Sequence, residues 1–223
     1  MRERIRRLID DRTRMLAAMS HDLRTPLTRL RLRAETLPEG DTRRQVMRDL
    51  HLMETMVNTA LSFLRDQDGR ERDEMVDLPS VLQAICDEFA AIGHDVRYEG
   101  PDHLTFRCRP DALARALTNL VDNAVKYGTA AILTLAAPGG DGTVTITVAD
   151  DGPGLPPEEL ALVFEPFYRS DQARTLERDR GFGLGLPIAQ RIIESHGGTL
   201  VLRTRAPHGL AAVVTLPASS APA

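Results

Sequence analysis

The sequence predicts an α+β fold in two parts, a helical hairpin followed by a mixed α/β sandwich. Three observations point there. Residues 3–37 and 42–66 carry apolar side chains at steps of three and four, the spacing of one helix face. Past residue 76, short alternating runs are mixed with helical ones, without the strict strand–helix–strand alternation of a doubly wound sheet. Between them, Gln67–Glu74 is polar and aperiodic, and the charge changes sign across it. Residues 1–67 carry 14 Lys+Arg against 10 Asp+Glu, and the remainder carries 14 against 22.

The first helix, about residues 3–37, aligns Ile5, Ile9, Leu16, Met19, Leu23, Leu27, Leu30, Ala34 and Leu37. Pro38-Glu39-Gly40-Asp41 ends it as a tight turn. The second, about residues 42–66, puts Val46, Leu50, Met53, Val57, Ala60 and Leu64 on one face. Joined by a short turn, the two form an antiparallel hairpin. Such a hairpin buries too little apolar surface to stand alone, so a second copy of the chain is expected to complete a four-helix bundle. Residues 1–67 are then one domain, 68–76 a linker, 77–218 a second domain and 219–223 a frayed tail.

In the second domain, Asp77 is placed to cap a helix that carries Pro79 in its first turn and runs to about Ala91. Strands are expected at Asp95–Tyr98 and Leu104–Arg109. A helix follows from Pro110 to Tyr127, stopped by Gly128. Ala131–Ala136 and Thr143–Ala149 alternate around Pro138–Gly142 and read as a hairpin. A short helix should begin near Pro157 and another should span Leu186–His196. Leu200–Thr204 and Ala211–Leu216 read as a final hairpin.

Composition narrows the function. No apolar run is long enough to span a bilayer, and Met1–Arg14 is too charged for a signal peptide. Cys86 and Cys108 have no metal or redox spacing and read as buried thiols. Arginines are interleaved with acids, Trp is absent and aromatics are few, which argues against nucleic-acid binding.

Four segments carry possible chemistry. In Ser20–Leu27, His21 lies two residues from both Met19 and Leu23. At about 100° per residue its imidazole points away from the apolar stripe, with Asp22 beside it. Pro26 removes a backbone N–H and leaves the Asp22 carbonyl without its usual partner, which favours a local bend. In the 119–127 segment, Asn119 and Asn123 share a helix face, with Lys126 a turn away. Amides can ligate Mg²⁺, and an ammonium can meet phosphate. Asp150-Asp151-Gly152-Pro153-Gly154 follows a strand, so a carboxylate and close-approach glycines stand together. Gly181-Phe182-Gly183-Leu184-Gly185-Leu186 leads into a helix whose N–H groups suit phosphate. The polar run Ser170–Arg180 before it could cover a nucleotide as a mobile lid. Taken singly, the Asn pair also suits a solvated face and the glycine runs also suit plain turns.

In this order the segments resemble the boxes of bacterial sensor histidine kinases. The H box is Ser20–Leu27, the N box Asn119–Tyr127, the G1 box Asp150–Gly154, the F box Phe164–Arg169 and the G2 box Gly181–Leu186. The resemblance covers nearly the whole chain. The H box is most similar to that of the EnvZ-like osmosensor kinases. The family implies a dimerisation and phosphotransfer hairpin joined to an ATP-binding domain of the Bergerat, GHKL type. It implies His21 as phosphoacceptor, with Asp22 as its acid/base neighbour. Asn123 would ligate Mg²⁺ with support from Asn119, Lys126 and Arg169 would meet phosphate, and Tyr127 would line the nucleotide. Asp150 would read the adenine amine, Gly152 and Gly154 would admit the base, and Gly181, Gly183 and Gly185 would wrap the phosphates. Phe182 stands where the family often has a small hydroxyl residue.

The implied reaction is phosphoryl transfer from ATP to His21, then to an aspartate of a response regulator. Thr25, one turn after His21, would support dephosphorylation of that partner, making the enzyme bifunctional. The expected setting is the cytoplasmic part of a bacterial inner-membrane receptor, acting as a homodimer and making no membrane contact of its own. Two rivals are an ATPase of the same superfamily and an inactive dimeric scaffold. The ATPases place a Glu where this chain has Asn119, so the hydrolytic base is missing.

Overall fold

The computed structural model describes residues 25–47, 49–50, 53, 71–136, 142–168 and 183–217. The chain divides into two compact units, residues 1–70 and 71–223.

In the first unit, α1 covers residues 25–35, and α2 is helical at residues 41–47 and again at 49–50 and 53. The Thr36 hydroxyl donates to the Arg33 carbonyl at 2.7 Å as α1 ends, just before the Pro38–Asp41 turn. Leu27, Ala34 and Leu50 are buried together, with Val46 and Met47 packed on them. Among the described residues the expected stripe is therefore only partly covered. Leu30 and Met53 remain 46% and 49% exposed, because one partner helix shields only one side of a broad apolar face.

In the second unit, β1 (Glu74–Asp77) precedes α3 (Leu78–Ala91), β2 (Asp95–Glu99), β3 (Thr105–Cys108) and α4 (Pro110–Tyr127). After these come β4 (Ala130–Ala136), β5 (Val144–Asp150), a 3-10 turn at Leu162–Phe164, α5 (Gly185–Ser195), β6 (Thr199–Thr204) and β7 (Leu210–Leu216). Five strands form one sheet in the order β2-β4-β5-β7-β6, and β1 pairs with β3 separately. Only β2 and β4 run parallel in the large sheet; its other pairings are antiparallel.

Alternation sets which side chains meet the helices. Val144, Ile146 and Val148 are buried, facing Leu216, Val214 and Ala212 on β7. α4 packs against β4, β5 and α5, and α5 packs against β6. Period two carries Asp150 onto this same covered face, where it is 8% exposed. Strand alternation alone thus delivers a carboxylate to the helix side of the sheet.

Some elements differ from expectation. Glu74–Val76, the end of the expected linker stretch 68–76, form strand β1 together with Asp77, because β3 supplies antiparallel partners from Glu74↔Cys108 to Asp77↔Thr105. Asp77 does stand at the N-cap of α3, yet its side chain caps no helix N–H. Its carboxylate accepts instead from the Ser80 hydroxyl at 2.7 Å and the Leu104 N–H at 2.9 Å. The helix expected near Pro157 is a run of turns ending in the 3-10 turn; of that turn only Val163 is buried, too little apolar face to hold a longer helix. Cys86 and Cys108 are buried and unpaired, and burial pushes both thiols up to about 11.

Candidate functional site

α4 organises the site. Pro110 starts it, Gly128 ends it, and the Gly128 N–H returns to the Ala124 carbonyl at 2.8 Å. Its N-terminus is capped from outside: the Glu71 carboxylate accepts from the Asp111 N–H at 2.6 Å and the Ala112 N–H at 3.1 Å. Ala116, Leu117, Leu120, Val121 and Ala124 anchor its inner face. That leaves Asn119, Asn123, Lys126 and Tyr127 partly exposed along its C-terminal half.

Close approaches join three sequence segments at this helix. A Cβ on Gly185 would lie 3.4 Å from Asn123 Nδ2 and 3.9 Å from Asn119 Oδ1, so the start of α5 rests on the Asn pair. A Cβ on Gly152 would lie 2.7 Å from the Tyr127 carbonyl, and one on Gly128 only 3.1 Å from Asp150 Cβ. Gly183, at φ +65°, receives the segment after the 3-10 turn: the Phe167 N–H donates to its carbonyl at 3.0 Å. The Lys126 ammonium stands 5.9 Å from the Tyr127 ring centre.

The two neighbouring carboxylates are held differently. Asp150 Oδ1 accepts from the Gly152 N–H at 2.8 Å and the Leu210 N–H at 3.1 Å. Burial raises its pKa, while those two N–H groups and the Arg205 charge pull it back down. Asp151 turns to the other side. It accepts from the Thr129 hydroxyl at 2.5 Å, the Thr129 N–H at 2.6 Å and the Ala130 N–H at 3.0 Å, which hold it at about 2. Asp151 thereby ties the end of α4 to the start of β4. No spacing in the sequence marks this role for Asp151, whose partners lie 22 and 21 residues earlier in the chain.

Asn123 Nδ2 is one of the three side-chain atoms that are buried without a hydrogen-bond partner among the described residues, and it is the one that faces the start of α5. An orphaned amide is costly unless something else answers it. It lies beside the first turn of α5, whose N-cap residue Leu184 contributes no side-chain bond. No cluster of three or more His, Cys, Asp or Glu exists among the described residues. The Nδ2 donor suits an acceptor oxygen such as that of a phosphate, and the amide oxygens of Asn119 and Asn123 are of the kind that can ligate Mg²⁺.

Of the expected site residues, Asn119, Asn123, Lys126, Tyr127, Asp150, Gly152, Gly154, Gly183 and Gly185 fall within this region. Gly154, at φ +76°, packs against Gly209. His21, Asp22, Arg169, Gly181 and the 170–180 segment lie outside the described residues. Thr25 is exposed on α1, in the other unit.

Residues 108–220, about half of the chain, match the family described as histidine kinase-, DNA gyrase B-, and HSP90-like ATPase. Residues 11–69 match the His kinase A (phospho-acceptor) domain. The sensor histidine kinase GtrS of Pseudomonas aeruginosa is 42% identical over 97% of this chain and 44% of its own length. The signal transduction histidine-protein kinase/phosphatase MprB of Mycolicibacterium smegmatis is 34% identical over 93% of this chain and 44% of its own. The chain thus spans under half the length of these relatives. A crystal structure of full-length ShkA in complex with AMPPNP superposes with a TM-score of 0.75 at 25% identity, over 94% of this chain and 47% of that one. The likeness to EnvZ-like osmosensor kinases is accordingly held at the coarser level of sensor histidine kinases. The chain belongs to the histidine kinase-, DNA gyrase B- and HSP90-like ATPase family, with a His kinase A domain preceding its ATPase domain.

Proposed function

We propose that the chain is the catalytic core of a two-component sensor histidine kinase. It would bind ATP beside α4, phosphorylate His21, and pass the phosphoryl group to an aspartate of a response regulator. The observation that carries this reading is the convergence of Asn123, Asp150 and Gly185 on one helix, around a buried amide that the chain leaves unanswered.

Each residue has a task that its surroundings favour. Asp150 would accept the adenine amine on Oδ2, since Oδ1 is taken by Gly152 and Leu210. Gly152 and Gly154 would let the base approach the backbone. Gly183, Gly185 and Gly181 would line the phosphates with N–H donors, and Lys126 and Arg169 would offset their charge. Tyr127 would flank the nucleotide. Asn123, supported by Asn119, would hold Mg²⁺, which when bound neutralises phosphate charge. The neutral imidazole of His21 would attack the γ-phosphorus as the bond to the β–γ bridging oxygen breaks and ADP leaves. Asp22 would take the proton of the other ring nitrogen.

The partly covered stripe on α1 and α2 supports a homodimer: Leu30 and Met53 would be buried by a second hairpin. Thr25 is exposed on α1 where a water beside the receiver aspartate would be positioned, so we assign it a role in phosphatase activity. The MprB relative is named for both activities. We place the chain in the cytoplasmic portion of an inner-membrane receptor; no helix of the described residues is long and apolar enough to cross a membrane.

Incubation with γ-labelled ATP and Mg²⁺ tests the reading. Acid-labile, alkali-stable label on the protein, lost in His21→Ala, is the expected result. Free phosphate without protein label would identify an ATPase, and neither product would identify a scaffold. In the same assay, Thr25→Ala should keep autophosphorylation and lose regulator dephosphorylation.

A further inference from the structure

The β6–β7 connection, residues 205–209, is not among the motifs that mark the nucleotide site, yet it grips Asp150 and Asp151 from behind. Arg205 Nη1 donates to the Asp150 carbonyl at 2.7 Å. The Leu210 N–H, where β7 begins, donates to Asp150 Oδ1. His208 Nδ1 lies 2.9 Å from the Asp151 carbonyl. Gly209, at φ +113°, makes the approach possible: a Cβ there would stand 2.2 Å from the Asp150 carbonyl oxygen. The Arg205 N–H closes the turn on the Gly209 carbonyl at 3.0 Å, so the guanidinium and the glycine act from one rigid loop.

We propose that this turn is a positioning element for base recognition, and that Arg205 is a specificity-determining residue acting through Asp150. The proposal rests on the reading of Asp150 as the group that meets the adenine amine. A carboxylate discriminates an amine from a carbonyl at that position only if its free oxygen is fixed, because a carboxylate that can rotate accepts water instead. Oδ1 is held by two N–H groups, and the main chain at Asp150 is held by Arg205. Together these fix where Oδ2 points. Arg205 acts on Asp150 through its main-chain carbonyl, so its removal should alter choice of base more than fold.

The test is calorimetric titration of the full chain with ATP and with GTP. Arg205→Met should weaken ATP binding about tenfold while leaving GTP binding alone, so that the ATP/GTP preference falls about tenfold. Arg205→Lys, whose ammonium can still donate to the Asp150 carbonyl, should restore most of that preference. A purely structural role predicts a lower melting temperature in Arg205→Met with an unchanged ATP/GTP ratio, and that result overturns the proposal. Asp150→Asn separates the two levels. If it collapses the preference while Arg205→Met does not, the turn is no positioning element and the base reading stands. If Asp150→Asn leaves the preference intact, the base reading falls and the proposal falls with it.

Discussion

The two ends of the nucleotide region are built on opposite plans. At the Asp150 end, the chain itself answers the acceptors around Oδ2 and leaves Oδ2 for the ligand. Oδ1 takes two N–H groups, the carbonyl takes Arg205, and the neighbouring Asp151 takes three donors from Thr129 and Ala130. At the Asn123 end, a buried amide nitrogen has no partner and the start of α5 has no side-chain cap. A fully satisfied polar network is rigid and costs nothing further when a ligand arrives. An unsatisfied one carries a penalty that a suitable ligand removes. The base end is therefore preformed, and the phosphate end is completed by what binds.

The largest effect should come from breaking the preformed end. Asp150→Asn puts an N–H₂ where an acceptor is needed, and ATP affinity should fall about 100-fold, measured by equilibrium titration. The charged form of Asp150 is the one that receives the amine. Since burial raises its pKa above 3.8, affinity in the parent chain should decline on acidification before ordinary carboxylates protonate. For folding the sign is reversed. The stability linked to this raised group is present below 3.8 and is lost as pH rises through its folded pKa.

A smaller effect is expected at the open end. Gly185→Ala adds a methyl 3.4 Å from Asn123 Nδ2. We expect ATP affinity to drop about tenfold while thermal stability holds or rises by about 0.5 kcal/mol, because Ala favours a helix over Gly. Affinity and stability moving together downward would mean that the glycine serves packing alone.

The smallest concerns Asp151. Its folded pKa of about 2 lies below 3.8, so its contribution is present above 3.8 and is lost as pH falls through about 2. Asp151→Asn should flatten the acid limb of the stability curve in that window by less than about 1 kcal/mol, since water screens a carboxylate so near the surface. Acid unfolding followed by circular dichroism would read it.

The same contrast explains what could be read from the sequence. α4 was legible to its ends because Pro110 and Gly128 are local signals, and the Asn pair at helical spacing placed one side of the site. Asp150 was legible as a carboxylate just after a strand, whereas its burial on the covered face came from β5 running one residue further than expected. What escaped depends on partners distant in the chain. β1 exists because β3 lies across from it. Glu71 caps a helix that starts 39 residues later. Arg205 and Gly209 meet Asp150 across two strands of the sheet, and no spacing rule connects them. The stripe on α1 is legible as apolar, but how much of its described part is buried depends on how many helices cover it.

The central contrast is tested most directly by titrating adenosine and Mg²⁺-ATP into the parent chain, Asp150→Asn and Asn123→Ala. We expect Asp150→Asn to abolish adenosine binding and Asn123→Ala to leave it intact, while Asn123→Ala removes the extra affinity that ATP gains over adenosine. Loss of adenosine binding in Asn123→Ala, or an unchanged ATP increment in that variant, would contradict the division of the site into a preformed base end and a ligand-completed phosphate end.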